Sequence, residues 1–272
     1  MFTQPQDFAD ESKALYQLIK DKSDYELSLG TQFKFWTIED IIGHLHVWNR
    51  AADMSLNDEK AFNVFLTQVM QALPTGNLKG FETEWLGDLK GNDLVSEWYD
   101  FSQNMQKSFG KADPRRRVMW AGPSMSVRSS ITARLMETWA HGQAIYDVLG
   151  VERIDQDRLQ NIVVLGTNTF EWTFKNQGET VPENMPYIRL TAPSGLIWQY
   201  GTPDNDNRIL GCATEFCQVI TQTRSIFDSK LKVKGDIAQR WMEIAQCFAG
   251  PPHTPPVAGE RYLQTMAAAD ET

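Results

Sequence analysis

The sequence predicts an α+β protein in which an up-down four-helix bundle is followed by a small α/β C-terminal domain. Apolar residues recur at helical spacing through roughly the first 175 residues. Beyond them, residues 187–191 and 196–200 alternate between apolar and polar side chains, as paired strands do across the turn at 192–195. The period therefore changes near residues 178–186, which marks the end of the bundle.

Helical spacing predicts helices over residues 8–19, 38–56, 61–73 and 89–109. Thr37 begins the second of these, and Asp40 three residues later completes an acidic capping box. On the wheel of this second helix, His44 falls at the edge of the apolar stripe. His46 falls on the opposite side and is expected at the surface. The third helix is broken by the segment Pro74-Thr75-Gly76.

The segment Arg134–Gly150 is the helix around which the rest of the chain is organised. It contains no proline and ends at Gly150, a residue suited to a left-handed C-cap. Apolar residues lie on nearly all of its sides, which is typical of a helix buried on both faces. Glu137 and His141 stand four residues apart and share one face. A carboxylate and an imidazole in such a place need partners, because a buried unpaired charge is unfavourable.

The partner of Glu137 and His141 has two interpretations at this point. A metal ion is one, because imidazole nitrogen and carboxylate oxygen are the ligands of catalytic zinc sites. A plain Glu–His hydrogen bond at helical spacing is the other. The loop that leads into this helix begins with Trp120, which either lines a pocket wall or serves only in packing.

The second part of the chain is predicted as helices over residues 155–174, 213–223 and 236–248, with a short strand over 230–234. The predicted organisation is a helical bundle over residues 1–178, an α/β domain over 179–250, and a tail rich in proline and alanine over 251–272. The tail is expected to lie as extended chain.

Composition limits the classes of function. The 272 residues carry a net charge of -9, which argues against a nucleic-acid or anionic-membrane partner. The N-terminus has no signal-peptide pattern, and no apolar run is long enough to cross a membrane. The three cysteines, Cys212, Cys217 and Cys247, form no CxxC pair. We therefore expect a cytoplasmic protein that acts on a small molecule, and a homodimer is left open.

Two motifs far apart in the chain, Asp40–Leu45 and Glu137–Gly142, resemble the N-terminal domain of mycothiol-dependent maleylpyruvate isomerases. These enzymes belong to the DinB/YfiT-like metal-binding helical bundles, and the resemblance covers residues 5–175. The segments Trp120–Ser126 and Arg134–Gly142 are similar, more narrowly, to a bacterial group of metal-binding proteins of that superfamily without an assigned activity.

The C-terminal part carries a weaker resemblance of its own. Residues 246–252 are similar to the same bacterial group. This part also resembles the small α/β domain of the isomerases and a domain found in wyosine-base formation proteins.

The resemblance implies a set of site residues. In the isomerases a histidine, a glutamate and a second histidine at these motif positions bind a divalent metal, usually zinc, which implies His44, Glu137 and His141 as ligands here. The isomerases also use an arginine of the C-terminal domain, for which Arg224 is the catalytic candidate. Trp120 is the candidate for cofactor binding.

The function that follows is a zinc-dependent transferase or isomerase that uses a low-molecular-weight thiol on a small electrophilic substrate. Three protein ligands would leave one zinc position open for the thiol. Two alternatives remain: a metal-dependent hydrolase that binds water there, and a non-enzymatic module with a structural metal or none. Asp53 or His46 as a fourth ligand would favour the module.

Overall fold

The computed structural model describes residues 2–72 and 76–265. The predicted helix break at Pro74 and Thr75, and the last seven residues of the tail, lie outside the described residues. The chain forms two compact units that divide between Val148 and Leu149. Within the described residues, no helix combines the length and the apolar character that a bilayer crossing requires.

The first unit is mostly helical. Its elements are α1 (Gln4–Ile19), α2 (Asp24–Leu27), α3 (Ile38–Asn57), α4 (Glu59–Ala72), α5 (Leu78–Leu86), α6 (Gly91–Lys111), β1 (Arg117–Val118), β2 (Met125–Ser126) and α7 (Val127–Val148). Helices α1 and α3 each pack against both α6 and α7. These four helices make the bundle that the sequence predicted, and β1 and β2 form an antiparallel pair before α7.

The ends of the two helices that carry the candidate ligands follow from local chemistry. The Thr37 hydroxyl accepts the backbone N–H of Asp40, and the Asp40 carboxylate accepts the backbone N–H of Thr37, so the predicted capping box begins α3. After α7, Gly150 has a φ of 64°, the left-handed conformation expected of it. Trp139 of α7 is fully buried, as expected for a helix covered on both faces.

Two short helices of the first unit, α2 and α5, were not predicted. Helix α5 packs on α3 and covers a side of it that the sequence pattern assigned to solvent. The prediction that His46 lies at the surface is therefore wrong, because the residue is 2% exposed. Its ring packs against Trp85 of α5 and Phe101 of α6.

The second unit combines helices with a four-stranded sheet. Its elements are a 3₁₀ turn (Asp157–Leu159), α8 (Gln160–Asn168), α9 (Phe170–Asn176), β3 (Tyr187–Thr191), β4 (Ile197–Tyr200), β5 (Arg208–Cys212), α10 (Ala213–Ile220), a 3₁₀ turn (Ile226–Asp228), β6 (Lys232–Lys234) and α11 (Asp236–Ile244). The strand order is β4-β3-β5-β6. Only the β3–β5 pair is parallel in this sheet. The β3–β4 hairpin was predicted, whereas β5 was not.

The division after Val148 comes earlier than the boundary predicted at residue 178. That prediction followed the change from helical to strand period. In the structure, however, α8 packs on α10 and α9 packs on α11, so the helices before the period change lie with the elements after it. The single helix predicted over 155–174 is also divided, at Thr169, into α8 and α9.

Candidate metal centre

Helices α3 and α7 bring three potential metal ligands together. His44 comes from α3, and Glu137 and His141 come from α7. One donor atom of each residue lies within 4.8 Å of the others. Among residues 2–72 and 76–265, this trio is the one cluster of His, Cys, Asp or Glu side chains that could hold a metal ion. The two imidazole ring centres are 4.8 Å apart. The structure thus assembles the three residues that the motifs indicated.

The electrostatics of Glu137 and His141 suit a cation. Burial raises the pKa of Glu137, but the hydrogen bond and charge of His141, with the charges of Arg134 and His44, outweigh burial and lower that pKa to about 2. Burial lowers the pKa of His141, although the hydrogen bond to Glu137 opposes it. At neutral pH the site therefore offers an ionised carboxylate and a neutral His141 imidazole, the protonation states in which these groups bind metal.

A fourth residue of the site, Glu82, was missed in the sequence. Its Oε1 atom lies 2.8 Å from Nδ1 of His44 and accepts a hydrogen bond of 2.8 Å from Nε1 of Trp48. Glu82 is 4% exposed and belongs to the unpredicted helix α5. The signals for α5 were weak: Asn77 as N-cap and apolar residues at helical spacing, interrupted by Gly80 in the first turn.

A buried cation accompanies the two carboxylates. Arg134 of α7 is 3% exposed, and its Nε donates a 2.9 Å hydrogen bond to Oδ1 of Asn49 on α3. Burial lowers the pKa of Arg134 to about 10, against the opposing charges of Glu137 and Glu82. Arg134 therefore stays charged at neutral pH and balances part of the negative charge of the site.

Aromatic rings cover one side of the two imidazoles. Before α3, Trp36 lies parallel to the His141 ring at 6.2 Å and tilted to the His44 ring at 5.3 Å. Phe33 meets His141 edge-on at 4.9 Å. These rings pack against the imidazoles and cover part of that side of the trio.

The other predicted site residues lie elsewhere. Trp120 follows β1 and packs against Trp48 and Phe62. Trp48 in turn donates a hydrogen bond to Glu82. Arg224 lies in the second unit after α10, where its Nη1 donates to the carbonyl oxygen of Thr223. Both assignments stay predictions.

Neither residue named as a possible fourth ligand joins the trio. His46 is buried away from it between aromatic rings, and burial, helped by the charge of Arg50, lowers its pKa to about 4. Asp53 instead accepts hydrogen bonds from Asn57 and Ser108.

Comparison with known proteins gives three results. Residues 8–146 match the family model described as the mycothiol maleylpyruvate isomerase N-terminal domain. Two uncharacterized proteins, from two strains of Mycobacterium tuberculosis, are each 37% identical to the chain over 217 residues, covering 80% of this chain and 84% of the relative. Crystal structures of the mycothiol-dependent maleylpyruvate isomerase and of a mutant of it align with TM-scores of 0.47 and 0.46, at 13% and 14% identity, over 80% of this chain and 86% of the solved chain.

Proposed function

Because the chain belongs to the mycothiol maleylpyruvate isomerase N-terminal domain family, we propose that it is a zinc-dependent enzyme that uses a low-molecular-weight thiol. The reaction is a transfer or isomerisation on a small electrophilic substrate. The observation that carries the proposal is the convergence of His44, Glu137 and His141 within 4.8 Å. The family name makes mycothiol the first thiol to test.

The donor set fits a catalytic zinc ion better than a structural one. Two nitrogens and one oxygen from three residues are typical of a catalytic site, which keeps a position for substrate or solvent. A structural zinc site takes four protein ligands, often including cysteine. The described trio contains no cysteine, and Cys212, Cys217 and Cys247 all belong to the second unit.

The charges around the trio favour an anionic ligand. Glu82 and Glu137 contribute two negative charges and Arg134 one positive charge, so the surroundings sum to one negative charge when the imidazoles are neutral. A divalent cation would reverse this to one positive charge, which a thiolate neutralises. When bound, zinc supplies the positive charge that holds a thiol in its thiolate form at neutral pH.

The protein's own residues have separate tasks in this proposal. The two imidazoles and Glu137 hold the cation, while Phe33 and Trp36 pack against the His141 ring. Trp120 is proposed to face the thiol and Arg224 to bind the electrophile.

A hydrolase is less well supported by the same geometry. Hydrolysis at such a site calls for a general base beside the attacking water. Glu137 is a ligand candidate, and Glu82 is occupied by hydrogen bonds from His44 and Trp48. Among the described residues neither carboxylate of the site is thus placed as a base.

Metal analysis and calorimetry test the proposal. Protein purified without a nickel column is expected to contain zinc, and a His141→Ala variant should lack it. Zinc-loaded protein titrated with mycothiol, glutathione and cysteine should give saturable heat with at least one thiol. Equal zinc content in both proteins would contradict the metal site. Turnover of a hydrolysable ester without added thiol would favour the hydrolase, and zinc binding without thiol binding or turnover would favour the non-enzymatic module.

A further inference from the structure

We propose that Glu82 is a positioning residue for the metal centre, which holds His44 in the one tautomer that presents Nε2 to the cation. Nothing in the motifs or in the family match assigns this role to Glu82. The inference rests on the proposed metal site, but its first consequence concerns the histidine alone and is measurable without metal.

The hydrogen bond itself sets the tautomer. An ionised carboxylate only accepts hydrogen bonds, so the 2.8 Å contact between Oε1 of Glu82 and Nδ1 of His44 requires the proton on Nδ1. Nε2 then carries the lone pair. In metal sites a carboxylate bonded to the far nitrogen of a histidine ligand fixes the ring orientation and raises the basicity of the coordinating nitrogen.

The Glu82 carboxylate is itself held in place. Trp48 stands one turn after His44 on α3, and its indole N–H donates to the same Oε1 atom at 2.8 Å. An indole N–H is only a donor, so it provides no competing partner for the His44 proton. Glu82 is 4% exposed, and the charge of Arg134 lies close enough to interact with it. Two hydrogen-bond donors and a buried cation nearby therefore orient this side chain.

A carboxylate differs from water as the partner of His44, although a cavity borders both His44 and Glu82. A cavity of about 180 Å³ is lined by His44, Glu82, Gly43 and Lys79, among others. If hydrogen bonding alone were needed, water could serve Nδ1 in either tautomer, because a water molecule both donates and accepts. A fixed carboxylate selects one tautomer, because it accepts and never donates.

The test uses a Glu82→Gln variant of the full-length protein, with Glu84→Gln as the matched control on an exposed position of the same helix. A glutamine side chain keeps the size, and its amide can donate to Nδ1 as well as accept from it. In zinc-free protein, ¹⁵N imidazole spectra should show His44 protonated on Nδ1 in the wild type and in the control. Glu82→Gln should give a mixture of tautomers. The chain has four histidines, so a His44→Ala spectrum assigns the signal.

The second measurement is the zinc dissociation constant, obtained by competition with a chromophoric chelator. Glu82→Gln should weaken zinc binding about 10- to 100-fold, the usual effect of losing such a partner. Trp48→Phe should weaken it less, because Glu82 keeps its bond to His44. Thermal unfolding followed by circular dichroism establishes that each variant is folded.

Two outcomes would overturn the proposal. One is an unchanged His44 tautomer together with a zinc affinity within twofold of the wild type. The other is a loss of zinc in Glu82→Gln as complete as in His44→Ala, which would make Glu82 a ligand. A wild-type protein that binds no zinc would refute the metal site. The zinc-free spectra would still decide whether Glu82 sets the tautomer of His44.

Discussion

A β-carbon added to Gly43 would lie 2.8 Å from Cδ1 of Leu86, so the Leu86 side chain of α5 packs on the backbone of α3 beside His44. Leu86 stands one turn after Glu82 and shares its face of α5. The same approach that places Leu86 on Gly43 therefore places Glu82 on His44. The absence of a side chain at residue 43 therefore leaves room for Leu86 next to the hydrogen bond between Glu82 and His44.

We expect Gly43→Val to push α5 away from α3. Overpacking of this kind costs about 1–3 kcal/mol of folding free energy, and zinc affinity should fall because Glu82 moves from His44. Gly110→Val is the matched control, since a β-carbon at that helical glycine meets nothing within 4 Å. Urea unfolding and zinc competition measure the two effects. If the two variants lose the same stability and bind zinc equally well, the contact does not hold α5 in place.

Arg134→Met should lower the stability of the zinc-free protein and raise its affinity for zinc. Removing one member of a buried charged cluster destabilises a protein by about 3–5 kcal/mol, so the zinc-free variant should unfold at lower urea. Its site would carry two negative charges instead of one, and added zinc should raise its melting temperature more than that of the wild type. Arg128→Met, an exposed change on the same helix, should alter neither quantity. A smaller zinc-induced shift than in the wild type would argue against the charge balance.

Asp40 caps the N-terminus of α3, and its carboxylate should make the free energy of unfolding depend on pH. Burial raises its pKa, but hydrogen bonds from Lys79 and Thr37 and the Lys79 charge outweigh burial, so its pKa lies below 3.8. A carboxylate with a lowered pKa in the folded state adds stability above its ordinary pKa, and this stability is lost as the pH falls below 3.8.

Asp40→Asn should therefore cost about 1 kcal/mol at pH 7. Its difference from the wild type should shrink below pH 3.8, as measured by urea unfolding across the acid range. Asp88→Asn, at an exposed position, serves as control. A difference that is constant with pH would show that the cap acts without its charge.

Arg224→Met tests the catalytic assignment in the second unit. We expect thiol-dependent turnover of a small electrophilic alkene to fall about 10²-fold, as when a donor to developing charge is removed. Zinc content should not change, because the ligand candidates come from α3 and α7. Arg189→Met on the exposed face of β3 is the control. Equal turnover in the two variants would remove Arg224 from the mechanism.

Strong local signals allowed much of the fold to be predicted. The capping box at Thr37, the long apolar helix that ends before Gly150, and the hairpin after residue 186 were all identified from neighbouring residues. Helix α5 and strand β5 were missed because both are short: a glycine interrupts the first turn of α5, and a glycine lies near the end of β5.

His46 shows where periodicity misleads. On the helical wheel of α3, His46 lies opposite the apolar stripe, a position that faces solvent when only the stripe is covered by other helices. The side chain is buried nevertheless, because α5 supplies Trp85 to cover it. A helical wheel describes one helix and contains no information on which further element packs against it.

The sequence by itself determined the bundle helices and the pairing of Glu137 with His141 on one helix face, because these follow from interactions between residues three or four positions apart. The resemblance to a known family added His44. Only the tertiary structure decided that His44 meets the α7 pair, that Glu82 fixes its Nδ1, and that Arg134 is buried beside both carboxylates. The contacts of His44 join residues 38 positions apart, with Glu82, and 97 positions apart, with His141. The packing of whole helices brings such residues together, and no local pattern encodes it.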